Sequence, residues 1–179
     1  MSSSAGVLTG DGLWTADEWR VLRAQTDIGT DIRDSGVATE LVLLPLALYL
    51  AQPQSAAHGV WLAPTDDPME LQPHLQRVRR VAVDFPVFTD GRGYSIASTL
   101  RNRLHYSGEL RAIGDILIDQ VFFLRRVGFS SFALRADQDR AAAVKALHTF
   151  SDVYQAASDQ PLPAFRRHAR PRAERDAVT

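Results

Sequence analysis

The stretch RRVAVDFPVFTDGRGYSIASTLRNRLHYSGELRAIGDILIDQVFFLRRVGFSSFALR, residues 79–135, decides the fold. It holds three apolar runs, RRVAVDFP, GELRAIG and FSSFALR, each of a length typical of a buried strand. Between them lie GYSIASTLRNRLH and DILIDQVFFLRRVG, in which apolar residues recur every three or four positions, as on one face of a helix. Strands that alternate with helices over so short a repeat indicate parallel βαβ units.

The alternation continues outside this stretch. Upstream, ELVLLP and HGVWLAP predict two further strands, and LALYLAQPQSAA between them predicts a helix that Pro53 limits. TDDPMELQPHLQRV predicts a helix with Thr65 or Asp66 as its cap and Pro68 in its first turn, and DQDRAAAVKALHTFSDVYQAA predicts the last helix. We therefore expect an α/β fold of four to five parallel strands with flanking helices, as an open layered sheet or as part of an eight-fold barrel pattern.

The 179 residues suit a single domain with less regular ends. Residues 1–36 are predicted to be a mobile segment with one short helix, LWTADEWRVL, which Thr15 caps. QTDIGTDIRDSGVAT, residues 25–39, is typical of a loop. Residues 37–165 are predicted to form the α/β domain, and residues 166–179 a basic flexible tail.

Composition excludes several kinds of function. The net charge of −1 favours neither nucleic acid nor an anionic membrane as a partner. With no cysteine, the chain cannot hold an iron–sulfur cluster on its own thiolates or perform thiol chemistry, so a redox role needs a borrowed flavin, nicotinamide or partner's metal centre. The five histidines lack metal-ligand spacing, so no metal site is expected. Without a signal-peptide pattern or a membrane-length apolar run, a cytoplasmic protein is expected.

The first candidate site is the strand-to-helix junction DFPVFTDGRGYS, because parallel α/β sheets place ligands at the carboxyl ends of strands. Glycines and a helix N-terminus favour an anion, and an arginine adds a planar donor for phosphate, sulfite, sulfate or carboxylate. The alternative is a tight turn in which the aspartate bonds local backbone. The candidates are Asp90, Gly91, Arg92, Gly93, Tyr94 and Ser95.

The second candidate site is the junction RAIGDILIDQ, which shares a rim with the first if their strands are adjacent. Asp115 and Asp119, four residues apart on one helical face, can act as acid and base or hold a divalent cation. Alternatively, Asp115 caps the helix, and Asp119 complements the helix dipole or pairs with an arginine. The candidates, which include two arginines further along the helix, are Arg111, Gly114, Asp115, Asp119, Gln120, Arg125 and Arg126.

Taken together, these motifs resemble an uncharacterised bacterial family that is labelled as an oxidoreductase involved in sulfite reduction. The similarity extends over about residues 40–167 and includes the late segment YQ…PLPAFRR. The residues that carry the resemblance are Phe85, Pro86, Phe88, Asp90 to Ser95, Gly108 to Ala112, Gly114, Asp115, Asp119, Gln120, Phe122, Phe123, Arg125 and Arg126.

The resemblance implies a pathway, since genes of that family lie beside those for assimilatory sulfite reductase and sulfate activation, but it implies no catalytic residue. One hypothesis is an accessory protein that docks on the sulfite reductase hemoprotein or helps deliver electrons from a ferredoxin-like donor. A second is a small α/β enzyme that uses a borrowed cofactor, or binds a sulfur oxyanion, at the Gly-Arg-Gly loop. A third is a structural domain whose glycine loops serve only the fold.

Overall fold

The computed structural model describes residues 6–23, 41–51 and 59–168. In these residues one sheet contains eight strands, of which the central ones are the longest. The strands are β1 (Gly6–Thr9), β2 (Trp14–Ala16), β3 (Arg20–Val21), β4 (Val42–Pro45), β5 (Gly59–Leu62), β6 (Arg80–Phe85), β7 (Glu109–Gly114) and β8 (Ser131–Phe132).

The sheet is mostly parallel and strongly curled. Strands β3 to β8 lie side by side in chain order and run parallel, whereas β1 is antiparallel to both β8 and β2. Residues 17–19 alone join the two edge strands, β2 and β3, and four Cα steps span at most about 15 Å. A flat sheet of eight strands would separate its edges by about 34 Å, so the sheet must curl. The α/β prediction is confirmed, in its partial-barrel form.

The helices are short. They are α1 (Leu46–Ala51), α2 (Arg92–Ser98), α3 (Val121–Val127), α4 (Arg140–Ala146) and α5 (Ala164–Arg167), with 3₁₀ turns at Pro68–His74 and Ile118–Gln120 and a π-helical turn at Thr99–Arg103. Gly128 ends α3 as predicted, because its φ of 112° is readily adopted only by glycine. In the described parts of the chain, none of the helices has the length and apolarity needed to cross a membrane.

The two faces of the sheet differ in character. The outer face carries alternate apolar residues, such as Val81, Val83 and Phe85 of β6, which pack with α2 and α3 in the main hydrophobic core. The inner face carries a smaller cluster around Leu43 and Ala82, together with charged side chains. The side chains of β6 and β7 alternate with a period of two, so every second residue of these strands faces an interior that is partly apolar and partly charged.

Several local predictions differ from the structure. LWTADEWRVL forms β2 and β3 in place of the predicted helix, and residues 6–9 of the expected mobile segment form β1 of the same sheet. The helix predicted over residues 137–157 is the shorter α4, which ends at Ala146. The predicted loop at residues 25–39 and the tail beyond residue 168 lie outside the described residues.

Two predicted caps were also wrong. Asp67, and neither Thr65 nor Asp66, accepts a hydrogen bond from the backbone of Met69 and caps the turn that begins at Pro68. Asp115 caps no helix, because its carboxylate lies before the turn at Ile118–Gln120 and accepts hydrogen bonds from distant groups instead.

Candidate functional site

The two predicted junctions do lie side by side. Phe85, the last residue of β6, pairs with Gly114, the last residue of β7, so both loops leave the same edge of the sheet. Gly114 has a φ of 100°, and a Cβ there would lie 2.3 Å from the carbonyl oxygen of Phe85 and 2.8 Å from Oδ1 of Asp84. Close packing of the two strand ends therefore requires a glycine at this position.

In the first junction, the aspartate and the arginine bind each other. Arg92 donates to Asp90 from Nε over 3.0 Å and from Nη2 over 2.7 Å, and its backbone N–H donates to the same carboxylate over 3.1 Å. These hydrogen bonds lower the pKa of Asp90 and raise that of Arg92. An anion bound at this loop would compete with Asp90 for the guanidinium.

The glycines of this loop differ in their surroundings. A Cβ on Gly93 would lie 2.4 Å from the ring of the fully buried Phe85, whereas a Cβ on Gly91 would meet nothing within 4 Å. The rings of Tyr94 and Phe85 pack in a T-shaped arrangement with centroids 5.7 Å apart, and burial raises the pKa of Tyr94. Gly93 and Tyr94 thus belong to the packing of the loop on the core.

The second junction holds the first in place through the backbone of Phe88. Asp115 accepts from the Phe88 N–H over 3.1 Å, and Gln120 donates to the Phe88 carbonyl oxygen over 2.9 Å. Gln120 is buried, and its side-chain oxygen Oε1 accepts a hydrogen bond from the N–H of Leu117 over 2.9 Å. Asp115 also accepts from Arg135 over 3.1 Å. These contacts clamp one loop against the other.

The remaining rim candidates point elsewhere. Ser95 and Asp119 are exposed. Arg111 lies three residues before the end of β7, on the inner face and away from the rim. Within the described residues, no group of three or more acidic or histidine side chains is placed to hold a metal ion.

An apolar groove of about 750 Å³ lies beside α3 and is here called the aromatic groove. Phe123 and Tyr154 are 58% and 72% exposed there, although aromatic side chains of this size are usually buried. The rings of Phe122 and Phe150 pack at 5.0 Å and form its edge. The residues that define the groove are Tyr94, Phe122, Phe123, Arg126, Phe150 and Tyr154.

One wall of the aromatic groove is the segment that follows α4. Arg126 donates to the carboxylate of Asp159 over 2.7 Å and to the carbonyl oxygen of Gln155 over 2.5 Å. The Ser158 N–H in turn donates to the Arg126 carbonyl oxygen over 3.1 Å. Arg125 donates to the carbonyl oxygen of Leu147 over 3.1 Å. The two arginines therefore attach this segment to α3.

A second polar set lies on the inner face, and Arg111 is the only one of its residues among the predicted candidates. The carboxylate of Glu109 accepts from Arg111 over 3.1 Å and from the hydroxyl of Ser131 over 2.5 Å, and it also pairs with Arg80. Arg111 donates to Asp17 over 2.5 Å. The strand sequences indicate this set. Side chains alternate between the two faces of a strand, so the charged residues at positions 80 and 84 share one face of β6, and those at positions 109 and 111 share one face of β7.

The pKa shifts in this set follow from its burial and its charges. Burial is the largest influence on Glu109 and opposes its ionisation. The hydrogen bond from Ser131 and the two arginines nevertheless outweigh it and hold the pKa of Glu109 below its ordinary value. Burial, followed by the nearby charge of Arg111, lowers the pKa of Arg80. The set therefore stabilises the ionised carboxylate of Glu109 but destabilises the charged guanidinium of Arg80.

The part of the chain that matches a known protein family includes both junctions and the aromatic groove. The model of a family described as a bacterial protein of unknown function (DUF934) matches residues 59–165, which is more than half of the chain. The chain belongs to this family. None of the curated proteins compared with the chain matches it. The matched range of the DUF934 family contains strands β5 to β8 and every residue that defines the aromatic groove.

Proposed function

We propose that this protein is an accessory component of assimilatory sulfite reduction, which docks on the sulfite reductase hemoprotein through the aromatic groove and supports electron delivery to it. The observation that carries the proposal is the groove itself. Four residues of the motifs that resemble the sulfite-reduction family, Tyr94, Phe122, Phe123 and Arg126, line it together. Motif residues that converge on an exposed apolar surface favour contact with another protein.

The polar rim supports docking more than catalysis. Asp90 and Arg92 bind each other, and Asp115 and Gln120 bind the backbone of Phe88. A catalytic acid or base needs a free atom within reach of a substrate. Together with the lack of cysteine, this arrangement favours a protein that positions a redox partner over one that carries electrons itself.

The experiment is genetic. Deletion of the gene from its bacterium should produce a cysteine requirement that sulfide relieves and sulfite does not, because the block lies at sulfite reduction. A wild-type copy should restore growth on sulfite, whereas a copy with Phe123→Ser and Tyr154→Ser should not.

The matched control is Leu13→Ser, in the hairpin between β1 and β2. Leu13 is 61% exposed, similar to Phe123, but it does not line the aromatic groove. The control copy should restore growth as well as the wild type. Growth of the deletion strain on sulfite as its sole sulfur source would rule out the proposal.

A further inference from the structure

A cavity of about 380 Å³ is lined by residues of the π-helical turn Thr99–Arg103, of the end of α3 and of the segment that follows α4. Its volume is within the range of small-molecule pockets in proteins. It shares no lining residue with the aromatic groove. We call it the arginine cavity, and its polar lining includes Arg101, Asn102, Arg125, Ser130, Ser158 and Asp159.

Backbone carbonyl oxygens hold Arg101 in the wall of the arginine cavity. Its Nε donates to the carbonyl oxygen of Gly128 over 2.8 Å, and its Nη1 donates to those of Tyr106 and Gly108. Position 128 requires a glycine here, since a Cβ would lie 2.4 Å from Cγ of Arg101. Nη2 makes no hydrogen bond within residues 6–23, 41–51 and 59–168, so this nitrogen can donate to a ligand.

Neither arginine of the cavity has a carboxylate partner in the part of the chain that the structure describes. Arg125 donates instead to the carbonyl oxygen of Leu147 over 3.1 Å. The lining also contains the carboxylate of Asp159, but Arg126 pairs with it over 2.7 Å. Burial disfavours the charged form of Arg101 and lowers its pKa. An anion in the cavity would therefore be attracted by both guanidinium groups.

We propose that the arginine cavity binds one small dianion of the phosphate or sulfate class through the guanidinium groups of Arg101 and Arg125. Guanidinium groups bind such oxyanions through short, charge-assisted hydrogen bonds. The π-helical turn that carries Arg101 also supports a ligand site, because such turns occur frequently at functional sites. The site goes beyond the docking function and lies outside the aromatic groove, so either proposal can fail without the other.

The test is isothermal titration calorimetry of the full chain with sodium phosphate, sodium sulfate and glycerol 3-phosphate, each against sodium chloride of equal ionic strength. We expect saturable binding of one dianion per chain and none of chloride. Tighter binding of glycerol 3-phosphate than of inorganic phosphate would identify the ligand as a small organic phosphate. Equal or weaker binding of glycerol 3-phosphate would identify it as the free oxyanion.

Three variants locate the binding. Arg125→Gln should weaken it at least about tenfold, because a charge-assisted hydrogen bond to the dianion is lost. Arg101→Gln should abolish it, with a circular dichroism spectrum to establish that the variant is folded. The matched control is Arg103→Gln, at an exposed arginine of the same π-helical turn that does not line the cavity, and it should bind like the wild type.

Arg125→Gln keeps the test decisive if Arg101→Gln does not fold, because Arg125 makes a single hydrogen bond among the described residues, whereas Arg101 makes three. Wild-type affinity in Arg125→Gln or in a folded Arg101→Gln would overturn the proposal. So would absence of saturable binding to the wild type, equal binding of chloride, or loss of binding in Arg103→Gln.

Discussion

The guanidinium of Arg126 donates to the carboxylate of Asp159 over 2.7 Å, and this ion pair fastens the segment after α4 to the end of α3. One wall of the aromatic groove is α3, and the other is the segment after α4. The shape of the groove therefore depends on a contact between residues that are 33 positions apart in the chain.

The first prediction concerns this wall. Arg126→Gln removes the ion pair with Asp159 and the hydrogen bond to Gln155, so residues 150–160 should exchange their amide hydrogens faster, while β6 and β7 stay protected. The measurement is hydrogen–deuterium exchange followed by mass spectrometry. Arg103→Gln, at an exposed arginine, is the control and should match the wild type. Equal protection of residues 150–160 in Arg126→Gln would show that other contacts hold the wall.

The second prediction separates the two glycines of the Gly-Arg-Gly loop. Gly93→Ala places a methyl group against the buried ring of Phe85 and should destabilise the protein by about 1–3 kcal/mol, more than alanine gains in a helix. Gly91→Ala meets open space at a φ of −78° and should change the stability by no more than about 0.5 kcal/mol. Urea unfolding measures both. Equal effects of the two substitutions on stability would mean that packing against Phe85 does not explain the requirement for glycine at position 93.

The third prediction concerns the clamp on Phe88. Gln120→Leu removes hydrogen bonds to the Phe88 carbonyl oxygen and from the Leu117 N–H, and should cost about 1–2 kcal/mol in the free energy of unfolding. Asp119→Asn alters the exposed neighbour and should stay within about 0.5 kcal/mol of the wild type. A stable Gln120→Leu variant would show that the clamp contributes little to the fold and would leave Gln120 free for another role.

The fourth prediction concerns acid stability. The pKa of Glu109 is lower in the folded protein than its ordinary value of 4.5, so the unfolded chain takes up the proton first as the pH falls. The stability that Glu109 contributes is fully present above about pH 4.5 and decreases as the pH falls through its folded pKa. Glu109→Gln should therefore lose less stability on acidification below pH 5, as measured by urea unfolding at several pH values. Parallel curves for the two proteins would contradict this account of the inner face.

Much of the fold follows from the sequence between residues 40 and 135. Strands β4 to β8 appear as apolar runs of strand length, and Gly128 ends α3 at its predicted place. Strands β2 and β3 contain only three and two residues, too few to show a period, and β3 pairs with β4 across 22 positions of the chain. Propensity alone does not reveal strands as short as these, because their pairing partners decide whether they form.

The candidate site was predictable in its location but not in its contacts. The adjacency of the two junctions follows from parallel strands in chain order, and it holds between Phe85 and Gly114. The bond from the Arg92 N–H to Asp90 agrees with the predicted turn alternative. The contacts of Asp115 and Gln120 with the backbone of Phe88 join residues 27 and 32 positions apart, which a sequence pattern does not reveal. Of the inner-face set only Arg111 was a predicted candidate, because the rule that ligands bind at strand ends does not apply to charges within the strands.

The most direct test of the central claim is affinity purification of the tagged protein from cells grown on sulfate, with an absorption spectrum of the eluate. Docking predicts that the sulfite reductase hemoprotein co-purifies with the wild type and with Leu13→Ser, and that the haem absorbance disappears with Phe123→Ser and Tyr154→Ser. Recovery of the wild-type chain without the hemoprotein, or with equal haem absorbance in the groove variant, would contradict the claim.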